Sequence, residues 1–327
     1  MHAPLIDLHS SVQEEALQRD AIESLQGNLI DPKFLYVTPH QGELWRQVFL
    51  KHSPIHANPE FVRIYREAFA AMADRLEGQN IMLVGLGCGT GLKELELYQA
   101  FKAKGSEVLF SAIDVSQDLV LESVKKLMES GAGHHRSLVC DLHQAAFLQH
   151  WLNAMESQLP RVITFFGLVP NFTPLIVAQL LQAVLRPGDI LLASAHLVPV
   201  RAENSEAMHL AMNSILPQYD NPETLAWLSA ALEAWELDQL VESPKMEVGE
   251  LDKIPAMLAF ASWKNAVPFE KWGRRFLPKL DEPLRLFFSL RYTPALFETM
   301  LRREGFDVEL LSITSCRQEA IWCIRRG

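Results

Sequence analysis

The chain has no run of about 18 apolar residues, so nothing in it is expected to span a membrane. It also has no surplus of base: 30 Lys and Arg against 40 Asp and Glu leave a formal net charge of −10. That balance argues against the clustered cationic surface that nucleic acid requires. The opening residues, MHAPLIDLHSSVQEEALQRD, lack the basic-then-apolar order of a secretory leader. Only four cysteines occur (Cys88, Cys140, Cys316 and Cys323), and none has metal-ligand spacing, so reduced thiols in a cytoplasmic protein are expected. No internal repeat, low-complexity tract, Ser-His-Asp arrangement or metal cluster emerges. What is present is an ordinary globular composition, 49% hydrophobic and 21% charged, on a chain of 327 residues. That length is long for one core, so one large domain with an elaboration, or two coupled domains, is expected.

From residue 80 strands and helices alternate. NIMLVGLG reads as a buried strand, and LKELELYQAFKAKG as a helix ending at Gly105. EVLFSAID is a second strand, followed by a helix over SQDLVLESVKKLMESG with Ser116 as its N-cap. RSLVCD and RVITFFG are third and fourth strands, TPLIVAQLLQAVLRPGD a helix with Pro174 in its first turn, and DILLASAHLV a fifth strand. This order predicts an α/β fold, a doubly wound sheet of parallel strands with helical crossovers. Residues 199–285 show helix formers, Trp and Pro but no clear strand alternation, and 1–78 also read as helical. The last stretch, 286–327, holds a helix (TPALFETMLRREG) and two strands around a turn. The expected organisation is an N-terminal helical segment or lid (1–78), a cofactor-binding core (79–198), a substrate or cap insertion (199–285) and a C-terminal helix and strand pair completing the sheet (286–327). The cap is expected to be mainly helical.

The most informative stretch is NIMLVGLGCGTGLKELELY, with Gly85, Gly87, Gly89 and Gly91 at alternate positions. A strand turning sharply into a helix brings its backbone close to a ligand only where side chains are absent, and glycine accepts positive φ without steric cost. The helix that follows offers free N–H groups and a positive dipole end to a carboxylate or phosphate. Gly87-Cys88-Gly89-Thr90-Gly91 is spaced G-x-G-x-G rather than G-x-G-x-x-G, which tilts the ligand from a dinucleotide towards S-adenosylmethionine. Asp114 ends the second strand, roughly 20 residues on, where an acid can hold ribose hydroxyls. Asp141 ends the third, the usual place for a carboxylate facing the adenine amino group.

ITFFGLVPNFTP (163–174) puts a polar Asn171 just past a strand end, at the crevice edge. Here the chain resembles the histidine-specific methyltransferases of ergothioneine biosynthesis and their relatives, which carry Phe-Phe-Gly-x-x-x-Asn-Phe. The resemblance implies a class I methyltransferase (Rossmann-like) core, with Asn171 holding an amino-acid carboxylate and Phe166 and Gly167 beside the cofactor. DPKFLYVTPHQGELW (31–45) is similar to the family's N-terminal Tyr-Asp-x-x-Gly segment and puts Tyr36 at the substrate. Thr90-Gly91-Leu92-Lys93 keeps the lysine after the glycine loop. QYDNPETLAWL (218–228) is a looser echo of Tyr-Asn-Asp-x-x-Gly-Val-Thr and implies a substrate contact for Tyr219. FFSLRYTPALFETMLRREGFDV (287–308) is similar to the family's Ser-x-Lys-Tyr-Thr helix start.

The departures point away from histidine. The family's acid two residues before the first motif glycine is Gly85 here. Its Ile-Glu-Met, whose Glu grips an imidazole, aligns with Pro255-Ala256-Met257, and Ala256 has no side-chain acceptor. A site built to bind a ring N–H loses orders of magnitude without its partner, so the substrate is expected to differ. Ala256 and Met257 are taken as substrate-lining, and His196, ending the fifth strand, as a third positioning candidate with Asn171 and Tyr219. His52 and His56 fall in the lid, His134 and His135 in a turn, and Trp235, Trp263 and Trp272 in the cap. The lead expectation is an S-adenosylmethionine-dependent N-methyltransferase acting on an amino acid or similar small metabolite of secondary metabolism. The alternative is a cyclase on the same fold, in which the cofactor's own amine attacks its γ-carbon to give azetidine-2-carboxylate and methylthioadenosine. A cofactor-binding pseudoenzyme subunit is the third.

Overall fold

The computed structural model describes residues 4–155, 159–200 and 205–327. In chain order the strands are β1 (Ile6–Leu8), β2 (Ile81–Leu86), β3 (Val108–Asp114), β4 (Gly133–His134), β5 (Ser137–Val139), β6 (Arg161–Phe165), β7 (Ile190–His196), β8 (Lys245–Leu251), β9 (Ile254–Ala261), β10 (Phe269–Lys271), β11 (Arg274–Phe276), β12 (Leu284–Leu290), β13 (Phe306–Ile313) and β14 (Glu319–Arg326). The chain divides into two compact units. The first comprises Met1–His9, Asn58–Val198 and Tyr292–Gly327, the second Ser10–Ala57 and Pro199–Arg291.

The first unit is the doubly wound sheet, in the order β1-β5-β3-β2-β6-β7-β14-β13, with the short β4 beside β3. From β1 to β7 neighbours run parallel, and β14 and β13 return antiparallel as a C-terminal hairpin. Every residue of β2 and β6 is buried, as a strand covered on both faces demands. The chain winds outward from β2 to β3 and β5, then crosses back to β6, so the switch point lies between β2 and β6. In open α/β sheets that is where ligands bind, beyond the carboxyl ends of the strands. Two parts of this unit come from the stretch read as a helical lid. Ile6–Leu8 forms β1, too short for any periodic signal, and pairs parallel with β5. Helix Pro59–Arg75 buries Phe61, Ile64, Tyr65, Ala68, Phe69 and Met72, an i, i+3, i+4 stripe that packs within this unit.

In the second unit helices Glu14–Gln26, Pro39–His52, Ser205–Ile215 and Pro222–Ala234 accompany two small antiparallel sheets, β12-β9-β8 and β10-β11. Within the segment expected to be mainly helical, 199–285, helices occupy Ser205–Ile215 and Pro222–Ala234, and strands β8 to β12 follow from Lys245. Strand β9, IPAMLAFA, is apolar on both faces, so it carries no alternation to read. Helix Pro39–His52 opens on a capping box: the Thr38 hydroxyl accepts from Gln41 N while the Gln41 amide oxygen accepts from Thr38 N. Among the described residues no helix is long and apolar enough to cross a membrane.

Candidate cofactor and substrate sites

In the first unit β2 runs straight into the glycine loop. Gly87, Gly89 and Gly91 all have positive φ (60°, 51° and 70°), and helix Leu92–Ala103 starts from Gly91 as its left-handed N-cap. Packing enforces Gly91, whereas at Gly87 an added Cβ meets the tip of the flexible Leu168 side chain. A Cβ at Gly87 would stand 2.3 Å from Leu168 Cδ2, and one at Gly91 2.4 Å from Ser123 Oγ and 2.9 Å from Ser123 Cα. Thr90 and Cys88 are buried in the loop, and burial pushes the Cys88 thiol far up, so it is a wall and not a nucleophile.

Asp114 ends β3 with one carboxylate oxygen accepting from Gly89 N (3.0 Å) and the other from Ser116 N (3.0 Å). It therefore braces the loop against the next strand, and burial raises its carboxyl above the usual range. Ser116 sits at the N-cap position, but its side chain makes no capping bond. Asp141, buried just past β5, accepts from His143 N (2.9 Å) and pairs with His143 Nδ1 (2.8 Å).

Gly85 lies inside β2, in register with Thr164 of β6. A Cβ there would stand 3.0 Å from Cys88 Cβ, 3.4 Å from Glu94 Cγ and 3.6 Å from Glu94 Oε1. Glu94, from the first turn of the following helix, lies with Cys88 against the position a side chain at 85 would take. It is buried, the Thr164 hydroxyl donates to its Oε1 at 2.7 Å, and burial raises its carboxyl. Its neighbour Lys93 is half-buried with its ammonium turned inward: Nζ donates to Tyr65 Oη (2.8 Å) and lies over the Tyr65 and Phe166 rings (4.5 and 5.8 Å). Burial lowers the Lys93 ammonium. The Tyr65 hydroxyl donates to Glu319 and shares a bond with the Ser194 hydroxyl (2.8 Å), and Ser194 Oγ accepts from Gly167 N (2.9 Å). This buried network ties the helix after the loop to the ends of β6, β7 and β14. Asn171 closes the short turn Val169–Asn171 after β6, its N–H bonded to Leu168 O (2.9 Å). The half-buried His196 ends β7, where its carbonyl accepts from Tyr292 N.

In the second unit the sequence-expected Tyr36 and Tyr219 belong to one aromatic row. Tyr36 contacts Trp227 (centroids 5.5 Å apart), Trp227 contacts Phe287 (5.7 Å), and Phe287 contacts Tyr219 (6.3 Å). Trp227 is fixed by an indole N–H bond to Leu35 O (2.8 Å). Arg291 Nη2 donates to Tyr219 Oη. Ala256 and Met257 lie fully buried in β9, paired with Leu290 and Ser289 of β12.

Over residues 17–319 the sequence matches the family described as histidine-specific methyltransferase, SAM-dependent. The chain belongs to this family. It is accordingly an S-adenosylmethionine-dependent transferase with the class I methyltransferase fold, and S-adenosylmethionine is its cofactor. No curated protein matches the sequence. Among solved structures it is similar to the CurJ carbon methyltransferase (14% identity, 97% of this chain and 66% of that one, TM-score 0.47). It is also similar to CalS10, an amino pentose methyltransferase from Micromonospora echinaspora (11%, 80% and 92%, 0.39), and to the CcbJ methyltransferase from Streptomyces caelestis (15%, 80% and 95%, 0.36). At such scores these likenesses carry no weight for the function of this family member.

Sequence reasoning missed Glu94, Tyr65, Ser194, Glu319 and Arg291. Glu94 had a signal, because the strand acid aligned with Gly85 was missing, yet it read as ordinary first-turn charge. Tyr65 and Glu319 are 254 positions apart and had none.

Proposed function

We propose that this methyltransferase acts on the amine of an amino acid or amino-acid-like small molecule other than histidine. The observation that carries the reading is Ala256: it is fully buried in β9 and has no side-chain acceptor, at the position where the resemblance implies the family's imidazole-gripping acid. A ring N–H brought there would go unpaired, which is costly in a buried site.

The donor set of the first unit suits the cofactor. Side chains are absent at Gly87, Gly89 and Gly91, and two carboxylates, Asp114 and Asp141, end neighbouring strands for ribose and adenine. In this reading the backbone of Gly85, Cys88 and Thr90, the Phe166 ring and Gly167 border the same crevice. Glu94 takes over from the missing acid at Gly85 and holds the cofactor's ammonium, while Lys93 acts one step back by clamping Tyr65. When bound, the cofactor supplies a methyl group activated by its sulfonium. The chain's own task is to present a neutral amine in line with the carbon–sulfur bond and to exclude water. Desolvation lowers an amine's pKa, so no strong base is needed. Asn171 is proposed to accept no proton and to act only by fixing the acceptor's orientation.

Glu94 also weighs against the cyclase alternative, which needs the cofactor's amine free of a carboxylate. The two chemistries leave different nucleosides. The test is incubation with S-adenosylmethionine alone and then with a panel of amino acids, with the nucleoside product identified by mass spectrometry. S-adenosylhomocysteine appearing only with an added amino acid is the expected result. Methylthioadenosine above the spontaneous rate without an acceptor would overturn it, and no turnover despite cofactor binding would favour the pseudoenzyme.

A further inference from the structure

Tyr65 is buried in helix Pro59–Arg75, and its hydroxyl serves three side chains. It has one proton to give. Glu319, buried at the start of β14, only accepts when ionised, so the proton goes there. Burial, and then that carboxylate, pushes the Tyr65 pKa well up and keeps the hydroxyl a donor. The two lone pairs of Oη then take an N–H of Lys93 (2.8 Å) and the hydroxyl proton of Ser194 (2.8 Å). Ser194 Oγ in turn accepts from Gly167 N (2.9 Å). The direction is fixed throughout, from Gly167 to Ser194 to Tyr65 to Glu319, with Lys93 entering at the tyrosine. Among the described residues no Lys or Arg pairs directly with Glu319, and Lys93 reaches it through the tyrosine oxygen. A carboxylate buried this far depends on such a partner.

Tyr65 also touches the segment that follows β6. The Phe166 ring stands edge-on to it (centroids 5.4 Å apart) and tilted against Phe69 (5.6 Å). Gly167 has a φ of 72°, and a Cβ on it would lie 3.5 Å from Lys93 Nζ. Both residues are therefore gripped from one side chain, the ring directly and the backbone through Ser194. The fixed end of the chain is in the C-terminal hairpin, which takes no part in the glycine loop.

We propose that Tyr65, anchored on Glu319, is a positioning residue that fixes the Phe166–Gly167 wall of the cofactor crevice at the cofactor's amino-acid end. This rests on the reading above in which Phe166 and Gly167 border the crevice and Glu94, the residue after Lys93, holds the cofactor's ammonium. Tyr65 touches no cofactor atom and acts through Phe166 and Ser194.

The test is calorimetry on the full chain with S-adenosylhomocysteine and with methylthioadenosine, which lacks the amino-acid end. Tyr65→Phe is expected to weaken S-adenosylhomocysteine about tenfold, the size of one lost hydrogen bond, and methylthioadenosine by less than about twofold. A general loosening of the fold would weaken both alike. Ser194→Ala should show the same selectivity and add less than about twofold to Tyr65→Phe, because both break one chain. Glu319→Gln keeps an acceptor oxygen for the tyrosine and should retain most of the affinity, whereas Glu319→Leu should fall with Tyr65→Phe. Ser194→Ala and Glu319→Gln decide the question if Tyr65→Phe does not fold. Equal losses for the two ligands in Tyr65→Phe, no loss for either, or losses that multiply in the double variant overturn the proposal. Phe166→Leu separates it from the reading beneath it. Undiminished S-adenosylhomocysteine affinity in that variant would remove the wall itself, and weakened binding there with none in Tyr65→Phe would overturn the positioning role alone.

Discussion

A carboxylate buried at Glu94 has a cost that pH exposes. Burial raises its pKa above 4.5, so between those values the folded chain binds more protons than the unfolded one. Its contribution therefore falls as pH rises from 4.5 through the folded value, and the full penalty stands above it. Glu94→Gln removes that penalty. The cofactor-free variant is expected to melt above wild type near neutral pH, with the gain fading as pH drops towards 4.5, as followed by thermal unfolding across a pH series. The same variant is expected to bind S-adenosylhomocysteine about tenfold more weakly, yet methylthioadenosine, which lacks the amine, nearly as before. Equal losses for both ligands in calorimetry would assign Glu94 to loop shape rather than to charge recognition. Tyr65 is the second residue whose removal is informative. Tyr65→Phe leaves Glu319 and Lys93 each short of a partner, and urea unfolding is expected to show a loss of about 1–3 kcal/mol.

Among elements, the start of helix Leu92–Ala103 is the most constrained. Gly91→Ala would strain a φ of 70° and drive a methyl group into Ser123 of the neighbouring helix Gln117–Glu129. A loss of about 1–3 kcal/mol is expected. Ser123→Gly in the same chain should recover only part, since the clash with the backbone of residue 123 and the strained φ remain. Thr38→Ala, which breaks the capping box of helix Pro39–His52, should cost about 1 kcal/mol. Both are read from denaturant midpoints. Most of the alternating strands and helices from 80 to 196 were legible because each carries its own apolar run and its own Pro, Gly or Thr boundary; helix Ala145–Asn153 and the two-residue β4 were not read. Strand β9 was not legible, because an apolar run rich in Ala and Met fits a buried helix as well as a buried strand. The glycine loop was legible in full, and Asp114 and Asp141 followed from the strand ends they occupy.

At the scale of the whole molecule the acidic balance and the cofactor site lead to simple expectations. S-adenosylhomocysteine at about 100 times its dissociation constant should stabilise the protein by about 2.7 kcal/mol, seen as a rise in melting temperature by calorimetry. A chain without a working cofactor site would show none. With a net charge of −10, no salt-dependent retention of duplex DNA is expected in a filter-binding assay at low salt.

What the sequence determined by itself is local in origin. Apolar periodicity and turn residues define the parallel sheet, and glycine spacing marks the loop. Side-chain identity at Gly85 and Ala256 departs from the family's pattern, the first beside the proposed cofactor ammonium and the second motivating the proposal of a substrate other than histidine. Only the tertiary structure decided that Glu94 and Cys88 lie against the position Gly85 leaves bare, that Tyr65 reaches Glu319, and that Arg291 meets Tyr219. Burial, and with it the cost of a charge, is set by packing between residues far apart along the chain, and no short window of sequence contains it.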